Sequence, residues 1–120
     1  MKNKLYIIKI GGALIDDEEL LNEFLKQFSD IKERKILVHG GGKLATTLAD
    51  KLGVEQKMIN GRRITDKDTL DIVAMVYAGG INKNIVAKLQ QKKCKAIGFS
   101  GADANLIKAK KREHTEIDYG

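Results

Sequence analysis

Proline is absent from these 120 residues, and cysteine occurs once, at Cys94. Without proline, an internal repeat or a low-complexity stretch, nothing marks a linker, and the length suits one domain with a modest core. A lone thiol excludes an internal disulfide framework and a cysteine-built metal cluster. Cys94 is expected as a buried thiol at the start of a strand, which fits a reducing cytoplasm. No apolar run approaches the roughly 20 residues that span a bilayer. Met1-Lys2-Asn3-Lys4 leads into a strand-like run rather than a signal-peptide core. Aromatic residues make up only 5%, and that scarcity bears on the net charge of +6. The excess sits in clusters such as Lys92-Lys93 and Lys108, Lys110, Lys111, Arg112, with no aromatics interleaved and no zinc-finger or RNA-recognition signature. A solvated face, or a groove for a small anion, accounts for the charge better than nucleic acid does. The expectation is a cytoplasmic protein that binds neither nucleic acid nor membrane.

What the chain does have is glycine in telling places. Leu37-Val38-His39 runs into Gly40-Gly41-Gly42, and Tyr6-Ile7-Ile8-Lys9-Ile10 runs into Gly11-Gly12. Each is a β-branched apolar run that stops on consecutive glycines ahead of a helical pattern. Such a turn presents bare backbone N–H groups at a helix N-terminus, a geometry that attracts phosphate and carboxylate. Two of them suggest two halves of one site for a charged substrate, with Lys9 between them as a positive charge.

Leu5 to Ile10 reads as a buried strand. Asp16 and Glu19 are spaced as a capping pair for a helix whose stripe is Leu20, Leu21, Phe24, Leu25 and Phe28. A basic link, Lys32 to Lys35, precedes a second strand from Ile36 to His39. The next helix carries Leu44, Leu48 and Leu52 and stops at Gly53. Strand–helix–strand–helix predicts a parallel sheet with helices on both faces. Asn60-Gly61 between Val54–Ile59 and Arg62–Ile64 predicts a hairpin that rises over the sheet edge as a lid. Thr65 and Asp68 cap a long helix over about 66–92, with Val73, Tyr77, Ile81, Ile85 and Leu89 at steps of four. Ala78-Gly79-Gly80 inside it points to close packing, against a second subunit or around a kink, because mid-helix glycine costs about 1 kcal/mol relative to alanine. Ala96 to Phe99 reads as a third strand ending on Ser100-Gly101, and Leu106 to Ala109 as a further one.

Several motifs admit competing readings. Gly40, Gly42 and Ala45 fit the dinucleotide pattern G-x-G-x-x-A, but they follow the second strand and the next strand-like run ends on no acid. Gly42-Lys43 resembles the end of a P-loop, yet Leu44 replaces the required hydroxyl residue and Leu37 the first glycine, which excludes it. Three glycines exceed what a tight turn needs and favour close approach to a ligand. An ammonium at Lys9 within an apolar strand either snorkels to the surface or emerges at the carboxyl edge, where open α/β sheets hold ligands. His39 reads as a hydrogen-bonded structural histidine. Arg62 and Arg63 face opposite ways on a strand, so one of them points inward and suits a bidentate clamp on a carboxylate.

Together, Lys9-Ile10-Gly11-Gly12, His39-Gly40-Gly41-Gly42, Asn60-Gly61-Arg62-Arg63-Ile64-Thr65 and Gly98-Phe99-Ser100-Gly101-Ala102-Asp103 resemble the N-terminal half of the N-acetyl-L-glutamate kinases, of the amino acid kinase family. The likeness runs in order along essentially the whole chain. Most of the motifs are shared with the aspartate, carbamate and uridylate kinases of the superfamily, and the Asn-Gly-x-Arg turn narrows it to acylglutamate. The resemblance implies a three-layer αβα sandwich with a mainly parallel open sheet. It also implies transfer of the γ-phosphoryl of ATP, with Mg²⁺, to the side-chain carboxylate of an N-acylglutamate in arginine biosynthesis. By the same resemblance Lys9 stabilises the migrating phosphoryl group, Gly11 and Gly12 contact the nucleotide phosphates, Gly41 and Gly42 bind the acylglutamate, and Arg63 clamps its α-carboxylate. No metal ligand is assigned, and a homodimer through the helix at 66–92 is implied. Family members are about twice as long, and the chain stops in mid-pattern at Tyr119-Gly120. Residues 1–120 are therefore expected to be the acylglutamate-binding portion, inactive without the nucleotide-binding half. The rivals are a sister kinase for aspartate or carbamate, and a non-catalytic dinucleotide-binding module.

Overall fold

The computed structural model describes residues 4–111, 113 and 116–119. Arg112 of the basic cluster, Met1, Lys2, Asn3 and the closing Gly120 lie outside the described residues.

Strand β1 (Leu5–Ile10) pairs in parallel with β2 (Arg34–His39), from Leu5 opposite Arg34 to Ile10 opposite His39. A parallel pair requires a crossover, and here it is made by the four-residue α1 (Gly12–Ile15) and the longer α2 (Glu18–Asp30). The expected cap of α2 is displaced by one residue. Asp17, not the Asp16–Glu19 pair, accepts from the Leu20 amide at 3.0 Å, because the Asp16 carboxylate is already taken by the Lys43 amide at 2.9 Å. Leu21, Leu25 and Phe28 then form the buried stripe, whereas Leu20, expected inside, is 53% exposed. At the other end of α2 the Lys35 ammonium donates to the carbonyls of Phe28, Ser29 and Ile31 at 2.6, 3.1 and 2.7 Å. A cation there satisfies orphan carbonyls and complements the negative end of the dipole.

Helix α3 (Leu44–Leu52) ends at Gly53, whose φ of 70° is the left-handed cap read from the sequence. It buries Ala45 and Ala49 and leaves Leu44 and Leu52 exposed; the small side chains let it approach its neighbours closely. The hairpin forms as expected: β3 (Met58–Ile59) pairs antiparallel with β4 (Arg62–Arg63). Asn60 and Gly61 both have positive φ, 50° and 73°, as the tight hairpin turn demands.

The long helix expected over 66–92 is three pieces. Asp66, rather than Thr65 or Asp68, caps α4 (Lys67–Val73) by accepting from the Thr69 amide at 2.9 Å. A π-helical segment, Ala74–Ile81, follows and passes into α5 (Asn82–Gln91). The widened turn falls on Ala78-Gly79-Gly80, where the ordinary helical hydrogen-bond pattern is least favoured. Two expected strands do not form. Residues 94–100 alternate in burial but join no ladder among the described residues, and Cys94 at their start is half-buried rather than buried. Leu106 and Ile107 are exposed and lie outside any strand.

One core joins these elements: Ile10 from β1; Leu21, Leu25 and Phe28 from α2; Ala45 and Ala49 from α3; and Ile72, Val76, Ile81, Ile85 and Leu89 beyond. Ile8 and Leu37 pack against it from the sheet, while Leu5, Ile7, Ile36 and Val38 on the opposite face stay exposed, Ile7 at 67%. The chain is thus α/β with a parallel sheet. The helical cover expected on the second sheet face is not supplied by the described residues.

Candidate functional site

Both glycine turns leave the carboxyl edge of the β1–β2 pair, and they touch. A Cβ on Gly12 would stand 2.8 Å from the Gly42 Cα. Asp16, at the end of α1, reaches across to accept from the Lys43 amide, and its carboxylate fills the space a Gly42 side chain would need. Gly42 also has a φ of +55°, a conformation that favours glycine. Gly41 is buried beneath the Tyr77 ring, which a side chain there would overlap. Gly11 and Gly40 have no neighbouring atom within 4 Å of the space a Cβ would take. Helix α3 starts just after the second turn with no side-chain cap. The Asp16 carboxylate on the Lys43 amide already places a negative charge at this helix start.

Lys9 is exposed on the uncovered sheet face, opposite Val38 in register, two residues before Gly11 of the first turn. No carboxylate among the described residues pairs with it. His39 is structural, as read from the sequence. Its Nδ1 lies 2.9 Å from the Gly40 carbonyl and its Nε2 lies 3.1 Å from the Asn82 amide nitrogen. A carbonyl only accepts, so Nδ1 carries the proton and Nε2 accepts from Asn82. Asn82 is itself buried, and it also donates to the Phe99 carbonyl at 3.4 Å. Through its two bonds Asn82 links the 94–100 segment to His39 at the end of β2.

The hairpin arginines divide as expected: Arg62 is exposed and Arg63 half-buried, turned inward. The Arg63 guanidinium donates to Gln56 Oε1 and, at 3.0 Å, to the hydroxyl of Thr46 on α3. Both acceptors are neutral. Among the described residues no carboxylate forms an ion pair with Arg63, so a half-buried cation stands beside α3 with its charge uncompensated. Sequence reasoning missed Thr46, Gln56, Tyr77, Asn82 and the linking role of Asp16. None carries a motif of its own, and each matters through a contact distant in sequence.

Two carboxylates bordering this region are held below their ordinary range. Asp66 accepts from the backbone N–H and then the hydroxyl of Thr69, with Lys57 adding a favourable charge. Asp103 does the same with the amide and hydroxyl of Ser100, helped by Lys83. Both are bound as loop and cap acceptors, not as proton carriers. A cleft of about 490 Å³ opens below the turns, lined by Asp16, Lys43, Thr47, Ile81 and Asn84 among others; neither Lys9 nor Arg63 lines it. The structure thus brings Gly12, Gly41 and Gly42 together with Tyr77 and Asp16. It sets Arg63 against α3 and leaves Lys9 on the outer sheet face.

Comparison with known proteins bears on this arrangement. The chain is 61% identical over 118 residues to an acetylglutamate kinase of Cytophaga hutchinsonii, covering 98% of this chain and 45% of that protein. It is 57% identical over 120 residues to an acetylglutamate kinase of Phocaeicola vulgatus, covering 100% of this chain and 47% of that one. It spans just under half the length of these relatives. Among solved structures, smu.665 of Streptococcus mutans UA159 superposes with a TM-score of 0.62 at 32% identity, over 78% of this chain and 38% of that one. An N-acetylglutamate synthase of Neisseria gonorrhoeae shares the fold at a TM-score of 0.52 and 22% identity, over 83% of this chain and 23% of that one. The amino acid kinase family model matches residues 4–119. Parallel strands ending on facing glycine turns, an unpaired lysine just before the first turn and that match from end to end agree: the chain belongs to the amino acid kinase family.

Proposed function

We propose that this chain is the acylglutamate-binding half of an enzyme that phosphorylates the side-chain carboxylate of N-acetyl-L-glutamate, or a related N-acylglutamate, in arginine biosynthesis. A carboxylate oxygen of the substrate attacks the γ-phosphorus of ATP, the bond to the β–γ bridging oxygen breaks, and an acyl phosphate and ADP result. Bound ATP with Mg²⁺ supplies the transferable phosphoryl group and neutralises part of its charge. Lys9, unpaired and two residues before Gly11, fits a triphosphate and would oppose charge on the migrating group. Gly11, whose surroundings are open, would let the phosphates approach the backbone together with Gly12. Amides of Gly41 and Gly42 would hold the acylglutamate while Arg63 takes its α-carboxylate. Phosphoryl transfer asks for positioning and positive charge more than for a strong base, and this chain supplies those. Most of the nucleotide pocket would come from the other half of the protein, so the 120 residues alone would not turn over ATP. In this reading the enzyme works in the cytoplasm and dimerises through the helix running from α4 to α5.

The observation that carries the proposal is Arg63: a half-buried guanidinium held by neutral oxygens and left without a carboxylate. The test is a thermal-shift titration with N-acetyl-L-glutamate, glutamate, aspartate and NAD. Stabilisation by N-acetyl-L-glutamate that disappears in Arg63→Ala is the expected result. A response to aspartate alone would move the assignment to a sister kinase, and a response to NAD alone to a dinucleotide-binding module.

A further inference from the structure

Of the two oxygens that hold Arg63, one is itself fixed from behind. The Gln56 side chain accepts from Arg63 through Oε1 and donates through Nε2 to the Thr69 hydroxyl at 3.2 Å. Thr69 is 1% exposed, and its own amide is bound to the Asp66 carboxylate at the start of α4. The amide of Gln56 therefore has both ends committed, one to a rigid helix start and one to the guanidinium. We propose that Gln56 is a positioning residue for Arg63: it sets the direction of the guanidinium and, being neutral, leaves the positive charge for the carboxylate of a ligand. The inference rests on the acylglutamate reading given above.

Two features support this division of labour. Gln56 and Thr46 together occupy one N–H on each terminal nitrogen of Arg63. A guanidinium has five N–H groups, so three remain, enough for a bidentate grip on a carboxylate. Moreover, the chemistry at position 56 is selective in kind. A glutamate there would fit the same space and bind Arg63 more strongly, but it would give up the donation to Thr69 and neutralise the charge that the ligand needs. An alanine would leave the charge and release the direction.

The experiment compares Gln56→Glu, Gln56→Ala and Arg63→Ala in the intact protein carrying this chain, by calorimetric titration with N-acetyl-L-glutamate and by thermal melting. Gln56→Glu exchanges the donation to Thr69 for a stronger pair with Arg63. It is expected to weaken ligand binding about tenfold or more, beyond what any change in Tm accounts for, the mark of a charged competitor in place of a neutral guide. In turnover the same variant should raise KM for the acylglutamate more than it lowers kcat. Gln56→Ala should weaken binding by a smaller factor. If Gln56→Glu binds as the parent does, or loses affinity only in step with a falling Tm, the positioning role is overturned. Arg63→Ala separates the two levels of the argument. Loss of binding there with none in Gln56→Glu removes only the role of Gln56. Unchanged binding in Arg63→Ala removes the acylglutamate clamp, and the inference with it.

Discussion

Around Gly11 the chain leaves open the space where a side chain would stand, whereas around Gly41 and Gly42 that space is filled by the Tyr77 ring and the Asp16 carboxylate. The two turns have the same local grammar, a β-branched run ending on glycines, and use it differently. In the second turn the absent side chains admit other parts of the protein. Tyr77 comes down from the π-helical segment and Asp16 crosses from the end of α1, so the turn is clamped from two sides. In the first turn Gly12 serves the same end by meeting the Gly42 backbone, but the space a side chain would take at Gly11 meets no protein atom within 4 Å. A run of glycines is therefore not one signal. Where its neighbours are protein atoms, it records close packing, and what it can offer a ligand is its amides; where its neighbours are absent, it leaves room for the ligand itself.

The largest effect that tests this contrast is expected at Gly41→Ala. The added methyl overlaps the Tyr77 ring in a buried position, and overpacking of that kind costs about 1–3 kcal/mol. Thermal melting would read it, and Tyr77→Leu in the same background should return part of the loss, a coupling that a double-mutant cycle isolates. A Gly41→Ala protein as stable as its parent would break the claim that the ring occupies that space. Gly42→Ala should cost somewhat less, about 1–2 kcal/mol, from a positive φ that alanine adopts poorly. The Asp16 carboxylate adds crowding to that strain. Adding Asp16→Ala to Gly42→Ala should relieve the crowding and leave the backbone strain, so recovery is partial. Full recovery would mean that the left-handed conformation is not what makes glycine necessary there.

How far the sequence was readable follows from the range of the interactions that decide each element. The bounds of β1, the end of α3 at Gly53 and the Asn60-Gly61 turn are set by neighbours in the chain and stand where local pattern puts them, but β1, read as a buried strand, buries only Ile10. The cap of α2 moved from Asp16 to Asp17 because Asp16 is claimed by Lys43, 27 residues away, a competition no local rule can see. The same limit hid the burial of Ala45 and Ala49 in place of the more apolar leucines of α3, since which helix face turns inward depends on its neighbours. Residues 94–100 keep the alternation of a strand without a ladder partner among the described residues, so pattern without pairing did not suffice. At the site, the two-residue period of a strand required one of Arg62 and Arg63 to turn inward, and only the family resemblance pointed to Arg63. Its neutral partners were not legible, because Gln56 and Thr46 sit in unremarkable stretches and gain meaning only from the fold.

The smallest expected change in stability is at Gly11→Ala, and that smallness is what makes it informative. Gly11 has a φ of −88° and a ψ of 170°, an extended conformation open to any residue, and a Cβ there meets nothing within 4 Å. Alanine also narrows the unfolded ensemble, which by itself favours folding by about 0.4–1 kcal/mol where the native backbone is compatible. Melting should therefore show a Tm equal to the parent's or slightly higher. If the open space at Gly11 is where phosphates approach the backbone, the same methyl should raise KM for ATP in the intact enzyme without lowering Tm. Gly40→Ala supplies the control, since Gly40 is equally uncrowded but belongs to the other turn, and it should leave KM for ATP alone. A drop in Tm at Gly11→Ala would show that the first turn is packed like the second, and the contrast between them would fall. An unchanged Tm with an unchanged KM would keep the structural contrast and remove the nucleotide from the first turn.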